Sequence, residues 1–209
     1  MKPQVTVFTG CASHPNTQFD TPKKFHLNPI TAWNFFKSRN EKRLSKSISD
    51  FDAVLVELEA LCIENGFEFM LITESSDGNH TRAGSHNLIE LFGNETTLKC
   101  SCCDYENSEV SLWESDEPEC CPLCGSFLRP GIAFRGEALC AKNLLRAESA
   151  VNNSRFILIN NIQAQHSILS DLIFRATGKG CSVFTIRSTG PSVTSPATTA
   201  HQLFKLLKF

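Results

Sequence analysis

Residues 99–137 read KCSCCDYENSEVSLWESDEPECCPLCGSFLRPGIAFRGE and contain two Cys-x-x-Cys pairs. Seventeen residues separate the two pairs, which are Cys100 with Cys103 and Cys121 with Cys124. A gap of two residues lets the chain turn so that both sulfurs of a pair point the same way. Two such pairs can surround one zinc ion at tetrahedral corners. The stretch therefore predicts a zinc-ribbon domain with these four cysteines as metal ligands.

The cysteines have two other interpretations, disulfide bonds and free thiols. We expect no disulfides, because the sequence shows no secretory signal. Cys102 and Cys120 lie beside the pairs and make the register ambiguous, although neither fits the gap of two residues. A site closed by four sulfurs has no open position for a substrate, so we expect the zinc to be structural.

Length, charge and hydropathy limit the classes of function. A chain of 209 residues with 41% apolar residues forms one large domain, or one domain with a small insert. Its net charge of −2 gives no electrostatic basis for binding nucleic acid, which favours basic domains. No apolar run approaches the roughly 18–20 residues of a membrane span. The cysteines outside the zinc site favour a reducing, cytoplasmic location.

Apolar runs alternate with amphipathic stretches, which is typical of a parallel sheet covered by helices. In residues 50–65 an apolar stripe repeats every 3.6 residues, and Gly66 ends the predicted helix. The predicted strands are 5–8, 67–72, 87–91, 156–159 and 183–186, with a return strand at 132–134. The other predicted helices are 29–38, 138–152 with Leu144 and Leu145 facing inward, 168–176 and 202–209. We expect loops at 14–28 and 188–199 and a solvated stretch at 40–46.

These elements predict an α/β fold, namely a Rossmann-like parallel sheet of about four strands with helices on both faces, plus a small zinc-ribbon domain. We assign residues 1–98 and 138–209 to the large domain, with a small helical part near 29–48, and residues 99–137 to the zinc ribbon and its return strand. Polar residues follow the first strand at Gly10 and the second at 74–84. Parallel sheets bind ligands at this carboxyl edge. A lone glycine is weak support for a phosphate cradle, which needs two or three.

The polar block at 71–94 and its surroundings resemble the sirtuins, which are NAD-dependent protein-lysine deacylases. Residues 71–94 are similar to the family block T-Q-N-x-D-G-L-H-x-R-A-G…N-x-I-E-L-H-G-N. The cysteine pairs follow where the family has its zinc ribbon, and residues 129–137 look like its R-P-x-V-V-x-F-G-E strand. The resemblance implies a Rossmann-type domain and a zinc domain, with NAD and acyl-lysine meeting in the cleft between them. It also implies a substrate-binding segment containing Ile132, Phe134, Gly136 and Glu137, although Arg135 replaces the family's Phe.

The chain departs from the sirtuin pattern at the catalytic residues. In the family a histidine acts as general base toward a ribose hydroxyl, and the matching residue here is Phe92. A phenyl ring cannot accept a proton, so no residue is left for that step. The family's Gln-Asn pair falls at Glu74 and Ser75, while its nicotinamide-binding Asp is kept as Asp77. We expect His80 to be a hydrogen-bonded turn residue rather than a replacement base. Asp77 can equally cap a helix or bind a ligand.

Other differences lie at the cofactor contacts that the resemblance implies. The family's Gly-Ala-Gly loop becomes Gly10, Cys11 and Ala12, and its Gly-Thr-Ser segment begins at Asn160 and Asn161. The family's ribose-binding Asn falls at Arg187. The differences therefore gather around NAD, whose binding we consider doubtful.

Three functional hypotheses follow. The first is a catalytically impaired sirtuin-like protein that binds a nucleotide, an acyl-lysine peptide or a protein partner. The second is an active NAD-dependent deacylase or NAD-cleaving enzyme that uses non-standard residues. The third, a zinc-ribbon protein that binds nucleic acid, depends on the cysteines alone and is opposed by the acidic residues 114–117.

Overall fold

Two sheets, one parallel and one antiparallel, organise the chain. The computed structural model describes residues 2–10, 18–107, 115–160, 168–186 and 195–207. In chain order the elements are β1 (Gln4–Thr9), α1 (Pro22–Leu27), α2 (Pro29–Leu44), α3 (Asp50–Glu64), β2 (Glu68–Thr73), α4 (Asn79–Ala83), β3 (Leu88–Glu90), β4 (Gly93–Cys100), β5 (Glu106–Asn107), β6 (Leu128–Ile132), α5 (Ala141–Asn153), β7 (Ser154–Asn160), α6 (Ile168–Thr177), β8 (Ser182–Ile186) and α7 (Pro196–Leu206).

The larger sheet is parallel and has the strand order β3-β2-β1-β7-β8. All six residues of its central strand β1 are buried. Val5 and Val7 pack into one apolar cluster with α3 and α7, while Phe8 packs into a second cluster with α5 and α6. Alternate residues of a strand face opposite sides, so one short strand contributes to the core on both faces. The predicted Rossmann-like sheet with helices on both faces is confirmed, and it has five described strands.

The smaller sheet is antiparallel, with the strand order β5-β4-β6. A third apolar cluster covers it and contains Trp33 and Phe36 of α2, Leu98 of β4 and Leu128 of β6. The indole Nε1–H of Trp33 donates to the carbonyl of Ser115, at 2.9 Å. Helix α2 therefore packs against the part of the chain that carries the cysteine pairs.

Several predicted loops and boundaries were wrong near the helices. Residues 22–27, predicted as loop, form α1, because Pro22 starts the helix and the Thr21 hydroxyl accepts a hydrogen bond from the Lys24 amide. Helix α2 continues to Leu44, and Asn40, predicted to be solvated, is buried. Helix α7 starts at Pro196 rather than 202, after a cap at Ser195.

Other predictions were wrong because the pattern of polar and apolar side chains did not indicate a strand or the buried face of a helix. Strand β4 was not predicted, because its sequence GNETTLKC does not alternate apolar and polar residues. The return strand ends at Ile132 instead of beginning there. Leu144 packs partly against the core as predicted, whereas Leu145 is 66% exposed, because its side chain lies on the outer face of α5. None of the helices within the described ranges combines the length and hydropathy that crossing a bilayer requires.

Two strands of the smaller sheet touch at glycines. Gly93 begins β4 with a φ of +77°, and a Cβ on it would lie 2.1 Å from the carbonyl oxygen of Gly131 in β6. Gly66 also has a positive φ, of +79°, but no atom lies within 4 Å of its would-be Cβ. A side chain at either position would therefore strain the backbone, but only a side chain at Gly93 would also clash with neighbouring atoms.

We expect Gly93→Ala to lower the free energy of unfolding by about 1–3 kcal/mol more than the matched control Gly66→Ala. Both variants force a side chain into the left-handed region, which costs about 1–2 kcal/mol. Only Gly93→Ala adds the overpacking cost against the backbone of β6. Urea denaturation of both variants and the wild type measures the difference. Equal losses for the two variants would contradict this close approach of β4 and β6.

Candidate functional site

The carboxyl edge of β1, β2 and β7 brings together three of the predicted cofactor-binding residues, namely Gly10, Glu74 and Asn160. Thr9 and Thr73 are register partners, and the Thr9 hydroxyl donates to the Thr73 hydroxyl at 2.8 Å. The Gly10 amide donates to the carbonyl of Asn160 at 2.9 Å, and the Glu74 amide donates to the carbonyl of Thr9 at 3.0 Å. Three strands thus end at one place, as expected for the ligand side of a parallel sheet.

Four of the predicted cofactor-binding residues lie outside the described residues. These are Cys11, Ala12, Asn161 and Arg187. Their assignment therefore stays a prediction from the resemblance.

The two predicted residues after Glu74 are held by local hydrogen bonds. The Ser75 amide donates to the Thr73 hydroxyl at 3.0 Å. The carboxylate of Asp77 accepts from the backbone amide of Asn79 at 3.0 Å and from its side-chain amide at 2.8 Å. Asp77 therefore stabilises the turn that leads into α4. It does not cap the helix, because the N-cap residue is Gly78 and no side chain makes a cap hydrogen bond there.

A buried hydrogen-bonded chain lies under this edge. The His80 side chain, in α4, contacts a polar group at each ring nitrogen. Nδ1 lies 2.8 Å from a carboxylate oxygen of Asp52, and Nε2 is hydrogen-bonded to the Thr9 hydroxyl at 3.2 Å. The Ser49 hydroxyl donates to the other carboxylate oxygen of Asp52 at 2.6 Å. His80 is hydrogen-bonded as predicted, in a helix rather than a turn, and it ties α3 and α4 to the end of β1.

The environment of Asp52 decides its protonation. Burial alone would raise the pKa of Asp52, but the hydrogen bonds from His80 and Ser49 outweigh it and hold this pKa below its ordinary value. The sequence analysis missed Asp52. Ser49 and Asp52 are three residues apart at the start of an apolar stripe, and this Ser-x-x-Asp spacing marks a helix start. The spacing does not show that Asp52 contacts His80.

Next to this edge, a cavity of about 310 Å³ lies beside the smaller sheet, where the chain passes from β3 to β4. Phe92, which connects β3 to β4, lines it together with Ser76, which follows β2. The four predicted substrate-binding residues also line it, namely Ile132, Phe134, Gly136 and Glu137. The structure thus brings the predicted general-base position and the predicted substrate segment to one cavity.

The cavity also holds a buried carboxylate that the sequence analysis missed. Glu95 lines the cavity and forms an ion pair with Arg39 of α2, at 2.9 Å. The side chain of Glu95 is 8% exposed. Burial raises the pKa of Glu95 above its ordinary value, although Arg39 opposes this shift. No sequence motif marks Glu95, because the pair joins residues that are distant in the chain.

The sulfurs of Cys100, Cys103, Cys121 and Cys124 all lie within 4.8 Å of one another. The Sγ atoms of Cys100 and Cys124 are 3.4 Å apart, and those of Cys103 and Cys121 are 3.6 Å apart. A tetrahedral zinc site with Zn–S bonds of about 2.3 Å needs sulfurs about 3.8 Å apart. The four sulfurs are therefore close enough to hold one zinc ion after shifts of no more than about 1 Å in their separations. All nine cysteines that the structure describes are free thiols.

Comparisons with known proteins place the chain in a family. The sequence model of the Sir2 family matches residues 9–161, which is more than half of the chain. The chain belongs to the Sir2 family. The resemblance to the sirtuins is thereby confirmed.

Curated Sir2-family relatives are named NAD-dependent protein deacylases. The relative from Pyrococcus furiosus is 36% identical over 144 residues, covering 66% of this chain and 56% of the relative. The relative from Thermus thermophilus is 33% identical and covers 70% of this chain and 57% of the relative. A relative from Caldanaerobacter subterraneus is 30% identical over 89% of this chain and 74% of its own length. The chain thus spans little more than half the length of the first two relatives.

Solved structures of Sir2 proteins share the fold. A Sir2 homologue in complex with NAD has a TM-score of 0.80 at 22% identity and covers 98% of this chain and 89% of that chain. Sir2Tm bound to a propionylated peptide has a TM-score of 0.72 at 21% identity and covers 97% of this chain and 92% of that chain. At these identities the likeness concerns the fold.

We expect replacement of Cys121 and Cys124 by serine to lower the zinc content from one ion per chain to nearly none, because two of four thiolates are lost. The matched control is Cys102→Ser, which changes an exposed cysteine beside the cluster. That variant should keep one zinc ion. Metal analysis by mass spectrometry measures both. Full zinc content in the double variant would contradict the ligand assignment.

We expect Asp52→Asn to lower the free energy of unfolding at pH 7 by about 1.5–3 kcal/mol, because a charge-assisted hydrogen bond to His80 is lost. The folded-state pKa of Asp52 is depressed, so its contribution is present above its unfolded pKa and is lost as the pH falls through the lower folded value. The difference between wild type and variant should therefore shrink below about pH 4.

Urea denaturation of Asp52→Asn at several pH values tests this expectation. Asp50→Asn, in the same first turn of α3 but exposed, is the control and should have a much smaller effect. A difference between wild type and Asp52→Asn that stays constant into the acid range would contradict the lowered pKa of Asp52.

Proposed function

We propose that this Sir2-family chain has weak or no NAD-dependent deacylase activity and acts by binding a nucleotide or a protein. One observation supports this most directly. Phe92 matches the family's general-base histidine, and it lines the same cavity as the predicted substrate segment. A phenyl ring has no atom that accepts a proton near neutral pH, so the proton transfer has no base at this position.

The residues that replace the family's Gln-Asn pair support the same proposal. Both Glu74 and Ser75 direct their backbone amides into the edge of β1 and β2, so they hold the loop in place. An ionised carboxylate accepts hydrogen bonds but cannot donate them, whereas a glutamine amide does both. Glu74 therefore cannot replace every contact that a glutamine makes to a ribose.

The partners that we propose follow from the same positions. A bound nucleotide would lie against Gly10, Glu74, Ser75, Asp77 and Asn160, where the three strands end. An acyl-lysine peptide or a segment of a partner protein would lie along residues 132–137. We propose that the four-cysteine cluster holds a structural zinc, which stabilises the smaller sheet and takes no part in chemistry.

We also propose a cytoplasmic location. Six of the ten cysteines lie outside the four-cysteine cluster. Structural disulfides are rare in the cytosol, where thiols are kept reduced. Burial raises the pKa of the Cys62 thiol to about 12, so this thiol is inert in the core.

An active deacylase or NAD-cleaving enzyme with non-standard residues is the second candidate, and Glu95 favours it. Its carboxylate lines the same cavity as Phe92, and burial raises its pKa toward the range of a general base. The ion pair with Arg39 opposes this use, since it stabilises the ionised carboxylate and makes it a weaker base. If Glu95 is the base, Glu95→Gln abolishes any activity of the wild type.

We expect Phe92→His to raise the rate of acetyl-lysine peptide deacetylation, because it returns a proton acceptor to the cavity. A general base typically contributes on the order of 10²–10⁴ in rate, which sets the upper limit of the gain. Adding Glu74→Gln and Ser75→Asn should raise the rate further. Formation of deacetylated peptide, followed by mass spectrometry, measures these rates.

Phe92→Leu is the matched control, since it changes the packing without supplying a base. It should leave the rate at the wild-type level. The proposal is contradicted if Phe92→Leu gains as much as Phe92→His, or if the variant with all three replacements gains nothing.

A further inference from the structure

The predicted substrate segment after β6 is already hydrogen-bonded within the chain. The Ala133 amide donates to the carbonyl of Phe92 at 2.8 Å. The Phe134 amide donates to the side-chain carboxylate of Glu137 at 2.8 Å, and the Glu137 amide donates to the carbonyl of Phe134 at 3.0 Å. Three backbone donors of this segment are therefore occupied within the chain.

A fourth donor, the amide of Arg135, binds the segment that precedes α1. It donates to the carbonyl of Asp20 at 2.7 Å. The guanidinium of Arg135 also lies 2.7 Å from the Asp20 carboxylate, whose other oxygen is 2.8 Å from the ammonium of Lys24. The hydrogen bond from Lys24 lowers the pKa of Asp20 below its ordinary value, and the Arg135 charge lowers it further. Asp20 and Arg135 are thus joined by backbone and by charge.

These two residues line the cavity and differ in their exposure to solvent. Asp20 follows Phe19, which is buried in the third apolar cluster with its ring centroid 5.5 Å from that of Phe35. The side chain of Asp20 is 11% exposed, whereas that of Arg135 is 62% exposed. The Arg135 side of the ion pair is therefore in contact with solvent, whereas Asp20 lies next to the buried Phe19.

We propose that Asp20 and Arg135 form a clasp that determines which ligands reach the cavity, and that an extended acyl-lysine peptide binds only when the clasp opens. The proposal rests on the proposed function insofar as it takes the peptide as the ligand. A peptide that adds to a strand edge needs unpaired backbone donors and acceptors. In the closed clasp the Arg135 amide and the Asp20 carbonyl bind each other.

The ion pair between Asp20 and Arg135 is weak enough for the clasp to open and close reversibly. Ion pairs in contact with solvent contribute little, since water screens them and the side chains lose freedom on pairing. Removing the guanidinium should therefore open the clasp by a modest factor, about two- to fivefold. The same factor should appear in the affinity for a peptide that requires the open state.

Hydrogen exchange and peptide binding on the zinc-loaded full chain test the clasp. In Arg135→Met we expect the backbone amide at position 135, which donates to Asp20, to exchange about two- to fivefold faster than in the wild type. The amides of Ala133, Phe134 and Glu137 have other partners and should keep their wild-type exchange rates. A fluorescein-labelled acetyl-lysine peptide should bind Arg135→Met more tightly by a similar factor, measured by anisotropy. Arg135→Lys keeps the charge and should give smaller changes of both quantities.

Lys24→Met is the matched control, because it removes the other cation from Asp20 and leaves the link to Arg135. Its exchange and peptide affinity should equal those of the wild type. The clasp is overturned if exchange in Arg135→Met is unchanged, or if exchange in Lys24→Met is accelerated equally. It is also overturned if Arg135→Met exchanges faster but binds the peptide no more tightly, or does not bind it at all. Neither measurement uses NAD or turnover, so failure of the clasp and failure of the proposed function are distinguishable.

Discussion

Strand β1 is buried on both faces, and its burial fixes the positions of the strands and helices that pack around it. Its residues pack into two apolar clusters, and its edges pair with β2 and β7. Fully burying a side chain such as Phe8 contributes about 1.5–3 kcal/mol, so the register of this strand is strongly specified. Because the strand is fixed, Thr9 and Gly10 are fixed at its carboxyl end. The buried chain through His80 and Asp52 then positions α3 and α4 against the same edge.

The cavity exists because the chain passes from one sheet to the other at Phe92 and Gly93. Gly93 approaches the backbone of Gly131 so closely that a side chain would not fit, and this brings β6 and the following segment beside Phe92. A large apolar side chain at position 92 satisfies the packing of this junction. The resemblance to the sirtuins places a proton-accepting histidine at this position, and we propose that Phe92 cannot perform that proton transfer. The side chain at position 92 can therefore pack the junction without taking part in catalysis. This accounts for a preserved fold in a chain whose activity we propose to be weak or lost.

The sequence predicted the parts of the fold that depend on local patterns. Strands β1, β2 and β7 are continuous apolar runs, and α3 has a regular stripe ended by Gly66, so these elements were found. The four metal-ligand candidates were found because a fixed spacing carries the geometry. Strand β4 was missed because it gains its stability from pairing with β6 rather than from its own hydropathy.

The parts of the site that the sequence did not reveal depend on contacts between distant residues. Glu95 pairs with Arg39, and Asp20 pairs with Arg135, although the two members of each pair are far apart in the sequence. The pairing of Asp52 with His80 is of the same kind. Spacing identifies each capping or turn residue, but it cannot identify the partner. The polar interior of the site is therefore a property of the tertiary structure.

The rate at which the unmodified, zinc-loaded chain forms deacetylated peptide at steady state tests whether its deacylase activity is weak or lost. It should be measured at millimolar NAD beside the Pyrococcus furiosus relative, on the same acetyl-lysine peptide. A reaction centre without a proton acceptor predicts turnover at least about 100-fold slower than that of the relative. Turnover within about tenfold of the relative would contradict it, because a base other than a histidine at position 92 would then be at work.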